Sequence, residues 1–207
     1  MSFELMLAIA ALASYLLGSV SFAIVVSRFR GIADPRTYGS HNPGATNVLR
    51  SGDKVAAVLT LVGDAAKGVV AVMAVRAFVT PALPDSLHLA AVAIAAIAVF
   101  IGHLFPVFFR FQGGKGVATA FGALVALDLT LGVGVGLIWL VVARVTRVSS
   151  LAALTAAGAA PLITLWRYDL NVTFWAVLGI SVLLIIRHKQ NIAALLAGEE
   201  KAFKKKS

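Results

Sequence analysis

A single lysine among three glycines stands out in the stretch Phe111-Gln112-Gly113-Gly114-Lys115-Gly116-Val117-Ala118-Thr119, directly before an apolar run that reads as a helix. An ammonium beside bare backbone N–H groups at a helix N-terminus suits a phosphate. A flexible turn with a topology-setting lysine is the alternative, although topology alone does not need three glycines. A second polar stretch runs from Tyr38 to Arg50 and holds Gly39, Ser40, His41, Asn42, Pro43, Gly44, Ala45, Thr46 and Asn47. The spacing from Gly39 to Gly44 begins like a phosphate loop, but Ala45 stands where the lysine belongs, which rejects a nucleoside triphosphatase. The N–H groups of such a turn can still form an anion nest, and an ordinary polar turn between helices would look the same. A third cluster is Arg187-His188-Lys189-Gln190-Asn191-Ile192. His188 and Asn191 lie three apart and can face one site, with His188 suited to acid–base work or hydrogen bonding. A basic collar at a membrane interface accounts for Arg187 and Lys189 and leaves Asn191 idle. Arg144 and Arg147, beside Thr146, Ser149 and Ser150, fit either reading.

Two ionisable residues sit inside an apolar run, in Gly63-Asp64-Ala65-Ala66-Lys67-Gly68. At i and i+3 they share a helix face, and within hydrocarbon such groups are paired or functional. A structural ion pair of Asp64 with Lys67 is favoured over direct catalysis. His103 reads as a hydrogen-bonded histidine between helices. None of the four histidines is followed by aspartate five residues on, which disfavours acyltransferases that use a His–Asp pair. There is no aspartate cluster for Mg²⁺ and no GxSxG elbow. The chain has no cysteine, so thiolate chemistry and disulfides are excluded. No metal and no cofactor is expected.

The elements that must position these residues are membrane helices. The 207 residues are 60% hydrophobic and 13% charged, against about 45–50% and about 25% in soluble domains. Mean hydropathy is +0.94. The apolar runs Leu5–Phe29, Val55–Val79, Leu87–Phe109, Val117–Leu127, Leu129–Ala143, Leu151–Trp166 and Val172–Ile186 predict an all-α polytopic membrane protein with about seven transmembrane helices in a single domain. A five-span variant makes Val117–Ala143 one bent helix and leaves one other short run at the membrane interface. Gly132, Gly134 and Gly136 mark a close-packing helix face. The Met1-Ser2-Phe3-Glu4 start lacks the basic region of a signal peptide, so the first run reads as a span.

The formal net charge of +9, from 18 Lys+Arg against 9 Asp+Glu, would suggest nucleic acid in a soluble protein. Here the basic residues fall in alternate short loops, which points to membrane topology and not to nucleic acid. With the N-terminus outside, the inner segments hold Arg28, Arg30, Arg36, Arg50 and Lys54, then Arg110 and Lys115, then Arg144 and Arg147, then Arg187, Lys189 and the lysines of the tail. The outer turns carry Asp85, Asp128, Asp169 and Arg167. The C-terminus, with Lys204-Lys205-Lys206, is expected in the cytoplasm against anionic lipid headgroups.

In order along the chain, GSHNPGATNVLR, GDxxKG, GHxFPVFxxFxGGKGVAT, RVTRVSSLA and RHxxNIxxLxxGxE together resemble the bacterial acylphosphate:glycerol-3-phosphate acyltransferases, the PlsY family. The resemblance covers nearly the whole chain. It implies a small multi-helix enzyme of the bacterial inner membrane, with its motifs on the cytoplasmic face. The implied reaction moves a fatty acyl group from acyl phosphate to the 1-hydroxyl of sn-glycerol 3-phosphate, giving lysophosphatidic acid and phosphate. Functional coupling to the enzyme that makes acyl phosphate is implied too. Ser40, Asn42, Gly44, Thr46, Asn47 and Arg50 match the family's first motif, Gly113, Gly114, Lys115 and Gly116 its second, and Arg187, His188, Asn191 and Glu199 are taken as its third. His41 departs from the pattern, since many members have glycine there.

On this reading Ser40, Lys115, His188 and Asn191 are catalytic. Arg50, Asn42, Gly44, Thr46, Asn47, Gly113, Gly114, Gly116 and Arg187 bind substrate, while Asp64 and Lys67 form the structural pair. Acyl phosphate is already activated, so the protein must chiefly bring two anions together and stabilise charge. The base is His188 or the departing phosphate. The competing reading is a membrane transporter of phosphate or another anion. Against it, the polar motifs gather at one membrane face and no inverted repeat is visible.

Overall fold

The computed structural model describes residues 1–200 and Ala202, and every regular element among them is helical. The tail lysines 204–206 fall outside the described residues.

The first apolar run folds as two helices, α1 (Phe3–Gly18) and α2 (Phe22–Phe29), bent by 40°. This corrects the continuous span expected over Leu5–Phe29. The cause lies in Ser19-Val20-Ser21. The Ser19 hydroxyl donates back to the Tyr15 carbonyl at 2.9 Å, and Ser21 is extended (φ −88°, ψ 99°) and starts the new helix. After a long loop come α3 (Ala45–Val48) and α4 (Lys54–Phe78), the latter capped by Asp53, whose carboxylate accepts from the Ala56 N–H at 2.9 Å. Next are α5 (Asp85–Leu104), α6 (Val117–Leu127), α7 (Leu129–Thr146), α8 (Ser149–Tyr168), α9 (Val172–Arg187) and α10 (Lys189–Leu196).

All seven apolar runs are therefore helical, and length and composition alone qualify between four and six spans among the described residues. Four helices (α4, α5, α7 and α8) are long and apolar enough to cross a bilayer alone. The count rises to six if the bent pairs α1–α2 and α9–α10 each form one span. The 11 residues of α6 reach about 16 Å, well short of a hydrocarbon core of about 30 Å. The single bent helix over Val117–Ala143 is also excluded. Asp128 is extended (φ −153°, ψ 124°) and caps α7 through Leu131 N–H at 2.6 Å. The two helices then pack on each other, with Gly132 against Val125 and Gly136 against Phe121.

Small residues let the helices close up. Added Cβ atoms at Gly18 and Gly102 would collide with the backbone of Val99 and Tyr15 respectively, so α1 and α5 cross almost in backbone contact. Gly68 and Gly122 do the same between α4 and α6. In a bilayer, where lipid is as apolar as leucine, such close packing is a main source of helix adhesion. The core of α5 accordingly carries Ala91, Ala93, Ala95 and Ala96. Large side chains such as Leu137, Leu140 and Val141 on α7 point outward, as a lipid-facing surface requires.

The loops before α4 and α6, the start of α8 and the segment after α9 gather at one end of the bundle, through contacts described below. At the other end Asp128, between α6 and α7, binds the Arg167 guanidinium (3.1 Å) and the Tyr168 hydroxyl of α8.

Candidate active site

The site is built from four backbone segments that share no sequence proximity. The second loop, Gly113 to Gly116, is clamped from two sides. On one side its Gly114 N–H donates to the His103 carbonyl at 3.2 Å, and a Cβ at Gly113 would collide with the carbonyls of His103 and Leu104. On the other side Arg187 donates to the Gly113 carbonyl (2.9 Å) and the Gly114 carbonyl (3.1 Å), its guanidinium lying 5.4 Å over the Phe105 ring. Gly116 sits at φ +83°, a left-handed conformation that glycine adopts without strain. The glycines are thus explained by close approach and backbone angle, and Lys115 is left as the loop's one projecting cation.

Lys115 reaches across to α10, where its ammonium donates to the Asn191 side-chain oxygen. The Asn191 amide nitrogen donates to Glu200 at 2.7 Å, and the Ser150 hydroxyl at the start of α8 donates to the same carboxylate oxygen at 2.7 Å. Burial, followed by the like charges of Arg50 and Arg187, pulls the Lys115 pKa below that of a free lysine, with Glu200 opposing. Three cations therefore converge on this corner with one carboxylate among them. That is an arrangement for an anion.

Glu200 corrects the sequence reading, which took Glu199 as the acidic member of the last motif. Glu199 points outward. Its N–H closes the end of α10 on the Ala194 carbonyl at 2.8 Å, and this turn brings the next side chain back over Asn191. The signal was present in the sequence, because the spacing GxE from Gly198 lands on Glu200. Ser150 lies in the RVTRVSSLA block, whose residue types did not point to a role for it.

The first loop is shaped by Asn47, which is 1% exposed. Its side-chain oxygen accepts from the Ser40 N–H at 2.9 Å, while its amide nitrogen donates to the carbonyls of Pro35 (2.6 Å) and Tyr38 (3.1 Å). All these bonds stay within the loop, so Asn47 folds the turn that presents Ser40. Gly39 (φ +62°) lies under the Asn47 side chain and the Arg50 stem, where a Cβ would clash. Ser40, Thr46 and Arg50 are exposed, and Asn42 and Gly44 are half-buried. The two loops touch where the Pro43 carbonyl meets Gly114. A cavity of about 440 Å³ opens between them, lined by Arg36, His41, Pro43, Phe111, Gln112, Gly113 and Arg187. Arg36 was not singled out from sequence, and it is held by Asp34 at 2.7 Å. His41 adopts φ +55° and is steadied by a 3.0 Å hydrogen bond between Nδ1 and the Arg36 carbonyl. A left-handed angle at this position favours glycine.

His188 ends α9 and is 2% exposed. Its Nδ1–H donates to the Leu184 carbonyl at 2.8 Å, which leaves Nε2 as the acceptor in the neutral ring. Asp64 and Lys67 lie apart from this mouth, inside the bundle, and pair at 2.9 Å with both side chains nearly inaccessible. Among the described residues no cluster of three or more metal-ligating side chains occurs.

A family model described as glycerol-3-phosphate acyltransferase matches residues 8–198. A glycerol-3-phosphate acyltransferase of Burkholderia multivorans is 60% identical over 194 residues, covering 93% of this chain and 88% of the relative. That of Burkholderia ambifaria is 61% identical over the same length with the same coverage. Among solved structures, the chain is similar to crystal structures of PlsY, an integral membrane glycerol 3-phosphate acyltransferase. The glycerol 3-phosphate form superposes with a TM-score of 0.86 at 34% identity, covering 96% of both chains. The lysophosphatidic acid form gives 0.84 at 33%, covering 96% of this chain and 95% of the other.

Proposed function

Because the chain belongs to the glycerol-3-phosphate acyltransferase family, we propose that the corner formed by Lys115, Asn191, Glu200 and the two flanking arginines is where it acylates glycerol 3-phosphate. It is a multi-pass membrane enzyme that makes lysophosphatidic acid, and the finer assignments below are our reading. The observation that carries them is that Arg50 and Arg187 lie close enough to Lys115 to oppose its charge, at the end of the bundle where the two glycine-bearing loops meet.

The donor is acyl phosphate. Its acyl–phosphate bond is already reactive, so the reaction needs no metal and no acyl-enzyme intermediate. The 1-hydroxyl oxygen of glycerol 3-phosphate attacks the carbonyl carbon, the bond from that carbon to the phosphate oxygen breaks, and inorganic phosphate leaves with the electron pair. The hydroxyl proton has two acceptors within the arrangement, Nε2 of His188 and an oxygen of the departing phosphate. Lys115 and Arg50 hold phosphate, with Ser40 and the backbone N–H groups of Asn42, Ala45 and Thr46 completing the cradle. Charges fixed in place before reaction need no reorganisation as the leaving phosphate develops charge. Asn191, oriented by Lys115 and Glu200, faces the glycerol part.

Two residues read from sequence as substrate-binding act one step back. Asn47 shapes the first loop and Arg187 braces the second, each through hydrogen bonds to the loop backbone. Asp64 and Lys67 form the structural pair. The site opens to the cytoplasm of a bacterial inner membrane, in agreement with the bias of basic residues toward this end, and the acyl chain lies in lipid contact between helices. Functional coupling to the enzyme that makes acyl phosphate follows from the lability of that donor.

The test is turnover by the purified protein in detergent or lipid mesophase, following phosphate release with glycerol 3-phosphate and acyl phosphate. Release that needs both substrates, survives EDTA and is not matched by acyl-CoA or acyl carrier protein thioester supports the reading. Turnover with a thioester alone overturns the donor and keeps the acceptor.

A further inference from the structure

The buried pair of α4 does more than neutralise itself. The Lys67 ammonium pairs with Asp64 at 2.9 Å, donates to the Val20 carbonyl at 2.7 Å and donates to Nδ1 of His103 at 2.9 Å. The Val20 carbonyl belongs to the break between α1 and α2, where regular helical bonding is interrupted. His103 lies in the last turn of α5, and its Nδ1 is also 3.2 Å from the Thr119 hydroxyl, in the first turn of α6. With Nδ1 accepting, the ring proton sits on Nε2, and that atom lies against Gly114, where an added Cβ would collide with it. The His103 carbonyl meanwhile takes the Gly114 N–H. One ammonium on α4 thus ties the break of the first span to the end of α5, and His103 in turn meets the start of α6, directly beneath the loop that carries Lys115.

We propose that Lys67 and His103 are positioning residues for Lys115. The Asp64–Lys67–His103 set fixes the ring and carbonyl of His103, these fix the Gly113–Gly114 backbone from below, and Arg187 fixes it from above. Lys115 is then held at one place over Asn191 instead of swinging on a glycine hinge. A plain structural ion pair would explain the bond between Asp64 and Lys67. It would not explain why Lys67 also donates to a histidine whose ring and carbonyl both abut the catalytic loop.

The proposal rests on Lys115 being the phosphate-binding cation, so the experiment carries its own control. Turnover is measured for His103→Leu and His103→Asn, each in the wild-type and the Lys115→Ala background. Asn offers an oxygen at the position of Nδ1 and can still accept from Lys67, whereas Leu cannot. The double variant Asp64→Asn with Lys67→Met is measured alongside, because it removes the hub without leaving a buried unpaired ion. His103→Leu and the double variant are each expected to lose at least tenfold in kcat/KM in the wild-type background and less than twofold in the Lys115→Ala background. His103→Asn should retain most of the rate. Equal losses in both backgrounds would mean that the cluster does not act through Lys115 and would overturn the proposal. So would a wild-type rate for His103→Leu, or an Asn variant no better than the Leu variant. Wild-type turnover by Lys115→Ala alone would instead overturn the reading of Lys115, and this proposal with it.

Discussion

Removing the charge of Lys115 is the sharpest perturbation of the catalytic reading. In the structure its ammonium is partly buried, donates to Asn191 and shares the corner with Arg50, Arg187 and Glu200. A unit charge about 4 Å from another at an effective dielectric of about 20 is worth about 4 kcal/mol, and a hydrogen bond to a charged group contributes about 1.5–3 kcal/mol. Two arginines remain in the Lys115→Ala variant and sustain part of the field, so a loss near 3 kcal/mol is expected. At about 1.4 kcal/mol per factor of ten, that is about two orders of magnitude in rate. The assay is phosphate release from acyl phosphate at saturating and limiting glycerol 3-phosphate, with the melting temperature in detergent recorded on the same preparation. Turnover within threefold of wild type, from protein of unchanged stability, would refute the role. A loss accompanied by a collapse of the melting temperature would show instead that Lys115 holds the loop and α10 together.

The remaining expectations concern its surroundings. Burial first, then Arg50 and Arg187, set the Lys115 pKa below the ordinary 10.5, and the charged form is the binding form. Activity is therefore present below that pKa and lost as pH rises through it, and Glu200→Gln, which removes the opposing anion, should move this basic limb to lower pH in a rate–pH profile. Asn47→Asp keeps the acceptor for Ser40 but turns an oxygen toward the Pro35 and Tyr38 carbonyls. At about 1–3 kcal/mol for each buried group left unsatisfied, it should lower the melting temperature and the activity together. Asp64→Ala strands the Lys67 ammonium in the bundle and should cost about 3–5 kcal/mol in a denaturation measurement, whereas Asp64→Asn with Lys67→Met should fold. His41→Gly relieves a left-handed φ of 55° worth about 1–2 kcal/mol while losing a hydrogen bond worth about 1 kcal/mol. Turnover should stay within twofold.

Much of this was legible before any coordinate. Composition and the spacing of apolar runs fixed an all-helical membrane protein, because only a bilayer tolerates such a surface. All seven runs became helices. The glycine-rich loop announced Lys115 through its residue types, since no turn needs three glycines for topology alone. The pairing of Asp64 with Lys67 followed from helix geometry at i and i+3.

What stayed out of reach depended on partners distant in the chain. Hydropathy marks apolar stretches but not breaks closed by local side-chain bonds, so the Ser19 break was missed. It also cannot show that an 11-residue helix lies packed on α4 and α7, short of a full span. Spacing placed His188 and Asn191 on one face but not the acid that orients Asn191, for Glu200 reaches it only because α10 turns by 60° from α9 and its last turn closes on Ala194. Arg187 and Asn47 looked like ligand-binding residues, and only tertiary structure turned their donors toward loop carbonyls. Periodicity and composition are local properties that the chain writes along its own length. Which donor meets which acceptor is decided by packing across the bundle, where residues some 50 to 80 positions apart compete for the same few atoms.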